Sequence, residues 1–411
     1  MISVEEAQQQ ILSHISPLDE EIVDLAHASG RVLAQRLYSR VALPQFDNSS
    51  MDGFAVRCED AIEASPTNPI ELMVVGDVPA GSVFGGKLAA NQAVRIMTGA
   101  PIPDGADAVI PVEYTDFSDQ TTGTPVPAKV KLYQSVSIGE NIRPGGQDMA
   151  QGELALEPGI RLRPQEIGFL AMLGIARVPV YRRARVALFS TGDELLHISS
   201  PVRTGKIFES NSYMLAALIE KYQAQVIPLG IIADQEIAVR ECLFRAVQNK
   251  ADLIVSSAGV SVGALDFVRS VMEKDGKLEF WRVDMRPGRP VAFGEFQGIP
   301  FIGLPGNPVS AYVGAEIFMR PILLKMGGRT SWQKPSLAVR VDDLIESDGR
   351  ASYLRARIRN ENGEWIATLT GHQGSGNLRS LVQANALLFV PSGVKSLPIG
   401  SQTFAYLLDD E

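Results

Sequence analysis

Residues 3–15 place Val4, Ala7, Ile11, Leu12 and Ile15 at helical spacing, so the chain is expected to open with an amphipathic helix. Ser3 followed by Glu6 matches a capping box and marks its start. A second helix is expected over 26–37, ahead of Leu43-Pro44-Gln45-Phe46, where proline breaks the pattern. From about 47 to 149 the texture changes to short apolar runs with many glycines and prolines. There 71–75 and 93–97 read as strands and 117–128 as an exposed loop, which together suggest a small β-rich domain. Mixed strand and helix return over 150–181, with Pro164-Gln165-Glu166 opening a helix through Leu173.

The stretch 183–328 alternates most clearly. Strands are expected at 186–189, 226–232, 253–256 and 300–302, and helices at 213–222, 237–248, 267–274 and from Pro308 onward. Asn307 is placed to cap the last helix and Pro308 suits its first position. Repeated strand–helix units imply a parallel sheet covered on both faces. After Pro335 the period falls to two, as at 337–341 and 353–358, and Asn362-Gly363 between two such runs signals a hairpin. An all-β domain of about 80 residues is expected to close the chain.

Length, at 411 residues, allows two to four domains. The formal net charge of −9 argues against nucleic acid as a partner, and leaves any anionic ligand to be held by local groups. Cys58 and Cys242 are too few for a disulfide framework, which suits a reducing cytoplasmic setting. No export signal is expected at the N-terminus. Glu316 and Arg320 interrupt the most apolar helix candidate, 309–326, so no membrane span is expected. His14, His27, His197 and His372 show no metal-ligand spacing, and no Gly-x-Ser-x-Gly elbow occurs.

Three loops carry the candidate chemistry, each after a short apolar run. They are Ser190-Thr191-Gly192-Asp193-Glu194, the run from Ser257 through Gly259, Ser261 and Gly263 to Asp266, and Leu304-Pro305-Gly306-Asn307-Pro308-Val309-Ser310. Small hydroxyl residues and glycines at strand ends expose N–H groups to anions, and carboxylates among them suit a divalent cation. Asp193-Glu194 reads equally as a cation-ligand pair or as favourable charge at a helix start. Met285-Arg286-Pro287-Gly288-Arg289-Pro290 offers two guanidinium forks for an oxyanion, beside a plain surface-loop reading. Asp52, in Asn48-Ser49-Ser50-Met51-Asp52-Gly53, is either a catalytic carboxylate or an Asx-turn cap, and Asp148 shares that ambiguity.

Taken together, these segments resemble the molybdopterin molybdenumtransferase family, which includes MoeA and the E domain of gephyrin. The resemblance rests on the stretch from Phe46 to Val56, on 95–103 with Thr98, on 190–194, on Gly259 to Gly263 with Asp266, on 287–290, on 303–310, and on Gly371-His372-Gln373-Gly374-Ser375. Its implied fold is a multi-domain α/β and β architecture. An elongated domain would span 1–46 plus 150–182, with a β-rich domain inserted over 47–149. A central parallel-sheet α/β molybdopterin-binding domain would span 183–328 and a C-terminal β-barrel 329–411, in an elongated homodimer. The implied reaction inserts molybdenum from molybdate into adenylylated molybdopterin with release of AMP, and requires Mg2+.

By that resemblance Asp52, Thr98, Asp148, Glu194, Asp234 and Asp266 occupy functional positions, Glu194 and Asp266 serving the metal. Ser190, Thr191, Gly192, Asp193, Ser257, Gly259, Ser261 and Gly263 would bind the cofactor. Arg286 and Arg289 would hold molybdate or phosphate, Pro305, Gly306 and Pro308 would shape the pocket wall, and Ser375 would contribute from the barrel. A molybdopterin adenylyltransferase and molybdoenzyme acceptors would be partners. The chain departs from the family pattern with Ala258 where many members have glycine and Arg289 where many have lysine; alanine there matters if the backbone needs positive φ. The alternatives are a molybdopterin adenylyltransferase-like enzyme and a non-catalytic cofactor-binding scaffold.

Overall fold

A computed structural model of the chain describes residues 1–117, 124–258 and 267–408. Helix α1 (Val4–Ser13) starts at the expected capping box: Ser3 Oγ accepts the Glu6 N–H while the Glu6 carboxylate accepts the Ser3 N–H. Its buried Val4, Ala7 and Ile11 join Ile15 in the core. The helix expected over 26–37 does not form. A short 3-10 turn, Leu25–His27, is followed by Gly30 at φ +76, and Val32 and Leu33 then bridge to Arg161 and Val180 as extended chain. Their apolar side chains are buried in that extended conformation, which takes the place of the expected helix.

By internal contacts the chain divides into two compact units, one of Gln35–Glu157 with Pro164–Arg177 and the other of Met1–Ala34, Pro158–Arg163 and Val178–Glu411. The first is built on five strands: β1 (Gly53–Val56), β2 (Ile70–Val78), β3 (Gln92–Ile96), β4 (Ala108–Pro111) and β5 (Lys129–Leu132). Their order is β4-β1-β3-β2-β5, with only the β2–β3 pairing parallel. Phe54 and Val56 point into one core and Ala55 into another, so β1 is covered on both faces and carries no charge. Helix α2 (Pro164–Met172) belongs to the same unit.

The second unit centres on a six-stranded sheet. Strand β6 (Arg185–Thr191) leads through α3 (Asn211–Lys221) to β7 (Gln225–Ile232), and α4 (Glu236–Gln248) leads on to β8 (Leu253–Ser257). After α5 (Phe267–Asp275) come β9 (Lys277–Phe280), β10 (Ala292–Phe296) and β11 (Ile299–Leu304). The order is β7-β6-β8-β11-β10-β9; the first three pairings are parallel and the last two antiparallel, so the sheet is mixed. Successive residues of β6 serve opposite faces: Val186 and Leu188 pack with α1 and α3, Ala187 and Phe189 with α4 and α5. Helix α6 (Pro308–Gly314) follows β11, and a π-helical turn, Ala315–Met319, joins it to α7 (Arg320–Met326).

Five further strands close on themselves: β12 (Ser336–Val341), β13 (Ala351–Glu361), β14 (Glu364–Leu369), β15 (Ala386–Val390) and β16 (Gln402–Leu407). The ring β13-β14-β12-β16-β15 returns to β13, forming a barrel with no free edge between its members. Asn362 and Gly363, at φ +52 and +89, make the expected two-residue hairpin between Glu361 and Glu364. Cys58 and Cys242 are free thiols. Among the described residues no helix is long and apolar enough to cross a membrane.

Candidate functional site

Ser190 lies in register with Ser257, and Ser257 with Leu304, so the three candidate segments begin at neighbouring parallel strand ends. From β6 the chain crosses to β7 on one side and then to β8 on the other. The crevice beyond Ser190 and Ser257 is therefore the point where the strand order reverses, which is where open α/β sheets bind ligands. Ser190, Thr191 and Ser257 end their strands rather than opening loops. Gly259, Ser261, Gly263 and Asp266 lie outside the described residues.

Two buried residues that the sequence reading missed organise this crevice. Glu209 accepts hydrogen bonds from Ser190 Oγ at 3.0 Å, from the Ser212 N–H at 2.8 Å and from the Ser212 hydroxyl. Asn211 Nδ2 donates to Ser257 Oγ at 2.8 Å and to the Gly306 carbonyl at 2.7 Å, fastening two of the loops together. Its Oδ1 is buried with no hydrogen-bond donor among the described residues, as is the Ser256 hydroxyl. Such a group costs about 1–3 kcal/mol until a ligand or water completes it. The available signal was the polar run Glu209-Ser210-Asn211-Ser212 immediately before an apolar helix.

Asp193 and Asp234 face each other from the ends of β6 and β7. The Asp193 N–H donates to Asp234 Oδ2 and the Asp234 N–H to Asp193 Oδ1, both at 3.3 Å. Glu194 sits in the same turn, and the next two residues, Leu195–Leu196, form a strand rather than a helix, so the helix-start reading of these acids fails. Gly192, at φ +148, lets the Glu194 carboxylate fold back: a Cβ there would lie 2.6 Å from Glu194 Oε2. Burial raises the Asp234 pKa; the Asp193 N–H opposes this, and repulsion from Asp193 and Glu194 adds to it. All these donors are carboxylate oxygens, which suits a hard cation such as Mg2+. Among the described residues, no three Asp, Glu, His or Cys side chains are grouped closely enough to hold a metal.

A carboxyl whose pKa is raised by folding favours the fold when protonated. That contribution is complete below the ordinary carboxylate pKa and is lost as pH rises through the raised value. Asp234→Asn should therefore raise the thermal midpoint at neutral pH, and the gain should fade as pH drops below the ordinary carboxylate range. A gain equal at all pH values, or a loss at neutral pH, would contradict a carboxyl held unfavourably by burial and then by its acidic neighbours.

The loop after β11 is tied to the barrel. Pro308 takes the first helical position, but the Asn307 side chain does not cap: its Nδ2 donates to Ser375 Oγ at 2.9 Å, and the Val309 N–H donates to the Ser375 carbonyl at 3.0 Å. Arg355, fully buried and also missed from sequence, holds the Gly371–Ser375 turn. Its Nη2 donates to the Gly374 carbonyl at 3.0 Å and its Nε to Ser380 Oγ at 3.0 Å. Burial first, and then the charge of Arg286, lowers its pKa to about 10, and its Nη1 has no acceptor among the described residues. Arg286 thus stands by a second guanidinium, an arrangement that an oxyanion would relieve. Arg289 is exposed and turned elsewhere, with Nε 3.1 Å from Met1 Sδ. Ala258 does adopt positive φ, +73, and would lie 3.2 Å from a Cβ placed on Gly306.

In the other unit the segments 48–55 and 95–103 interlock. Asp52 Oδ1 accepts both the Thr98 N–H and the Thr98 hydroxyl, each at 2.7 Å, so its side chain reaches Thr98 instead of capping its own turn. The Thr98 N–H and then its hydroxyl hold the Asp52 carboxyl below the ordinary carboxylate range. The Gly99 N–H donates to the Ser49 carbonyl at 2.8 Å. Asp148 is exposed and accepts from Arg143 Nη2 at 2.8 Å.

Comparison with known proteins assigns the whole chain to one family. The pattern of the MoeA N-terminal region (domain I and II) matches residues 2–174. That of the probable molybdopterin binding domain matches 187–325, and that of the MoeA C-terminal region (domain IV) matches 338–408. A Haemophilus influenzae protein named molybdopterin molybdenumtransferase is 37% identical over 392 residues, 94% of each chain. A Mycobacterium tuberculosis protein, molybdopterin molybdenumtransferase 2, is 38% identical over 409 residues, 98% of each chain. The crystal structure of a molybdopterin biosynthesis MoeA protein from Pyrococcus horikoshii OT3 aligns with a TM-score of 0.82 at 32% identity, covering 99% of this chain and 100% of that one. The chain belongs to the molybdopterin molybdenumtransferase (MoeA) family.

Proposed function

We propose that the chain is a molybdopterin molybdenumtransferase: it inserts molybdenum from molybdate into adenylylated molybdopterin and releases AMP. The observation that carries this reading is the register of Ser190, Ser257 and Leu304, which sets three strand ends side by side at the reversal of strand order, next to Asn211, whose Oδ1 has no hydrogen-bond partner among the described residues. Family membership supplies the substrate class. The rival adenylyltransferase reading predicts a different activity. Purified protein should release AMP from adenylylated molybdopterin when molybdate is present, and should not transfer adenylyl from ATP to molybdopterin. ATP-dependent adenylylation without molybdate-dependent AMP release would reverse the assignment.

In this reading Ser190, Thr191, Gly192, Ser257, Gly259, Ser261, Gly263, Pro305, Gly306 and Pro308 cradle the pterin phosphate end. Arg286, with Arg355 behind it, receives molybdate or phosphate oxygens, and Ser375 is positioned by Asn307. Glu194 and Asp266 hold Mg2+, with Asp193 and Asp234 beside Glu194. When bound, Mg2+ would neutralise charge that develops as the phosphoanhydride opens. Asp234, kept partly averse to ionisation, is suited to hold or pass a proton near that charge. Asp52, kept as a carboxylate by Thr98, and Asp148 serve as further acidic side chains of the site, and Arg289 adds positive charge.

The four-domain division at 1–46 with 150–182, 47–149, 183–328 and 329–411, a homodimeric working state and a cytoplasmic location belong to the same proposal. Sedimentation should give twice the chain mass of 44.4 kDa. Mg2+ should also raise the thermal midpoint of the wild type by relieving repulsion among its acids, and should raise that of Glu194→Gln less. Equal shifts in both would remove Glu194 from the metal site.

A further inference from the structure

Away from the strand-end loops, one cavity of about 250 Å³ concentrates positive charge. Arg31, Arg182, Lys221 and Arg320 line it together with Arg161, Arg183 and Arg329, and among the described residues no Asp or Glu contributes to its wall. In a chain of formal net charge −9 this is a local inversion of sign.

The bonding of these cations divides them. Arg31 is committed to Glu21 and to the Tyr181 carbonyl, and Arg182 makes a two-pronged pair with Asp252 at 2.7 Å on both arms. Lys221 donates to the Leu408 carbonyl at 2.8 Å. Among the described residues the Arg183 guanidinium reaches only the neutral Gln223 Oε1, at 3.1 Å. The guanidinium groups of Arg161 and Arg329 have no ion pair or hydrogen bond among the described residues. Arg329 is half-buried; burial first, and then the charges of Arg161 and Arg320, hold its pKa below the usual arginine value. Its position is built rather than incidental: Gly328, at φ +80, precedes it, and the Tyr181 ring fills the place a Cβ would take, 2.0 Å away.

Like charges brought together around a cavity, with no carboxylate among them, are unfavourable until an anion enters. Guanidinium forks match phosphate oxygens two at a time. A single phosphate carries less charge than the unmatched guanidiniums of Arg161, Arg183 and Arg329, whereas linked phosphates meet all three. We propose that this cavity binds a small polyanion of the di- or triphosphate class, gripped by Arg161, Arg183 and Arg329.

The test is titration calorimetry on the full chain with inorganic pyrophosphate, and with ADP to learn whether the linked phosphates are free or carried on a nucleoside; orthophosphate is the control. Pyrophosphate or ADP should bind at least about tenfold more tightly than orthophosphate, and Arg161→Gln and Arg329→Gln should each weaken that binding about tenfold or more. Without ligand, Arg329→Gln should melt no lower than the wild type, because it removes a repelled charge; a structural arginine would melt lower when replaced. The proposal is overturned if neither pyrophosphate nor ADP binds, if orthophosphate binds equally well, or if both variants retain wild-type affinity. Should Arg329→Gln fail to fold, the solvent-exposed Arg161→Gln decides by the same affinity criterion.

Discussion

Replacing Glu194 with glutamine should lower the rate of molybdate-dependent AMP release by about 100-fold or more while leaving the fold intact. Glutamine keeps the shape of the side chain that folds over Gly192, so the turn at φ +148 has no reason to move. What is lost is a full negative charge at the reversal of strand order, where a cation and a phosphate are to be held together. Glu194 is exposed and makes no ion pair among the described residues, so its stability effect should stay within about 0.5 kcal/mol. A wild-type rate in this variant would remove Glu194 from the reaction. A low rate accompanied by a collapsed melting transition would make it a structural residue.

The largest expected stability effect belongs to Gly53→Ala. A Cβ on Gly53 would lie 2.0 Å from the Ile110 carbonyl oxygen and 3.0 Å from Pro111 Cα. These are backbone atoms of β4, which cannot swing aside as a flexible side chain would. Strand β1 lies between β3 and β4, with Gly53 paired to both Ile96 and Pro111, so relief on one side disturbs the ladder on the other. A cost of roughly 3 kcal/mol or more is expected. Asp52 precedes this glycine and would be drawn away from Thr98, so activity should fall with stability. Melting that tracks the 35–157 unit should show the drop; an unchanged midpoint would mean that the close approach at Gly53 is not required.

Local signals carried much of the fold. The Ser3–Glu6 capping box, the Asn362-Gly363 hairpin and Pro308 at a helix start each act through neighbours in sequence, and each stands where the pattern puts it. The failures involve partners distant in sequence. Val32 and Leu33 fall within the helix expected over 26–37, but bridges to residues 161 and 180 decide their conformation. Strands β9 and β10 passed unread because a four- or five-residue run shows its nature only when an edge is available to pair with.

The candidate site divides in the same way. Glycines, carboxylates and hydroxyls at strand ends announce themselves by type, and register brings Ser190 and Ser257 together. Glu209, Asn211 and Arg355 did not stand out, because a buried polar residue looks like a surface one until its burial is seen. Asn307 shows the opposite error: a good cap by position, it uses its side chain on Ser375, a residue of another element. Arg289 likewise shares a motif with Arg286 yet turns to Met1.

The most direct test of the account is the release of AMP from adenylylated molybdopterin by the purified chain with Mg2+, measured with and without molybdate. The account predicts AMP formed only when molybdate is present, in step with the appearance of a molybdenum-loaded cofactor that activates an apo-molybdoenzyme. AMP release that ignores molybdate, or none under either condition, would contradict it.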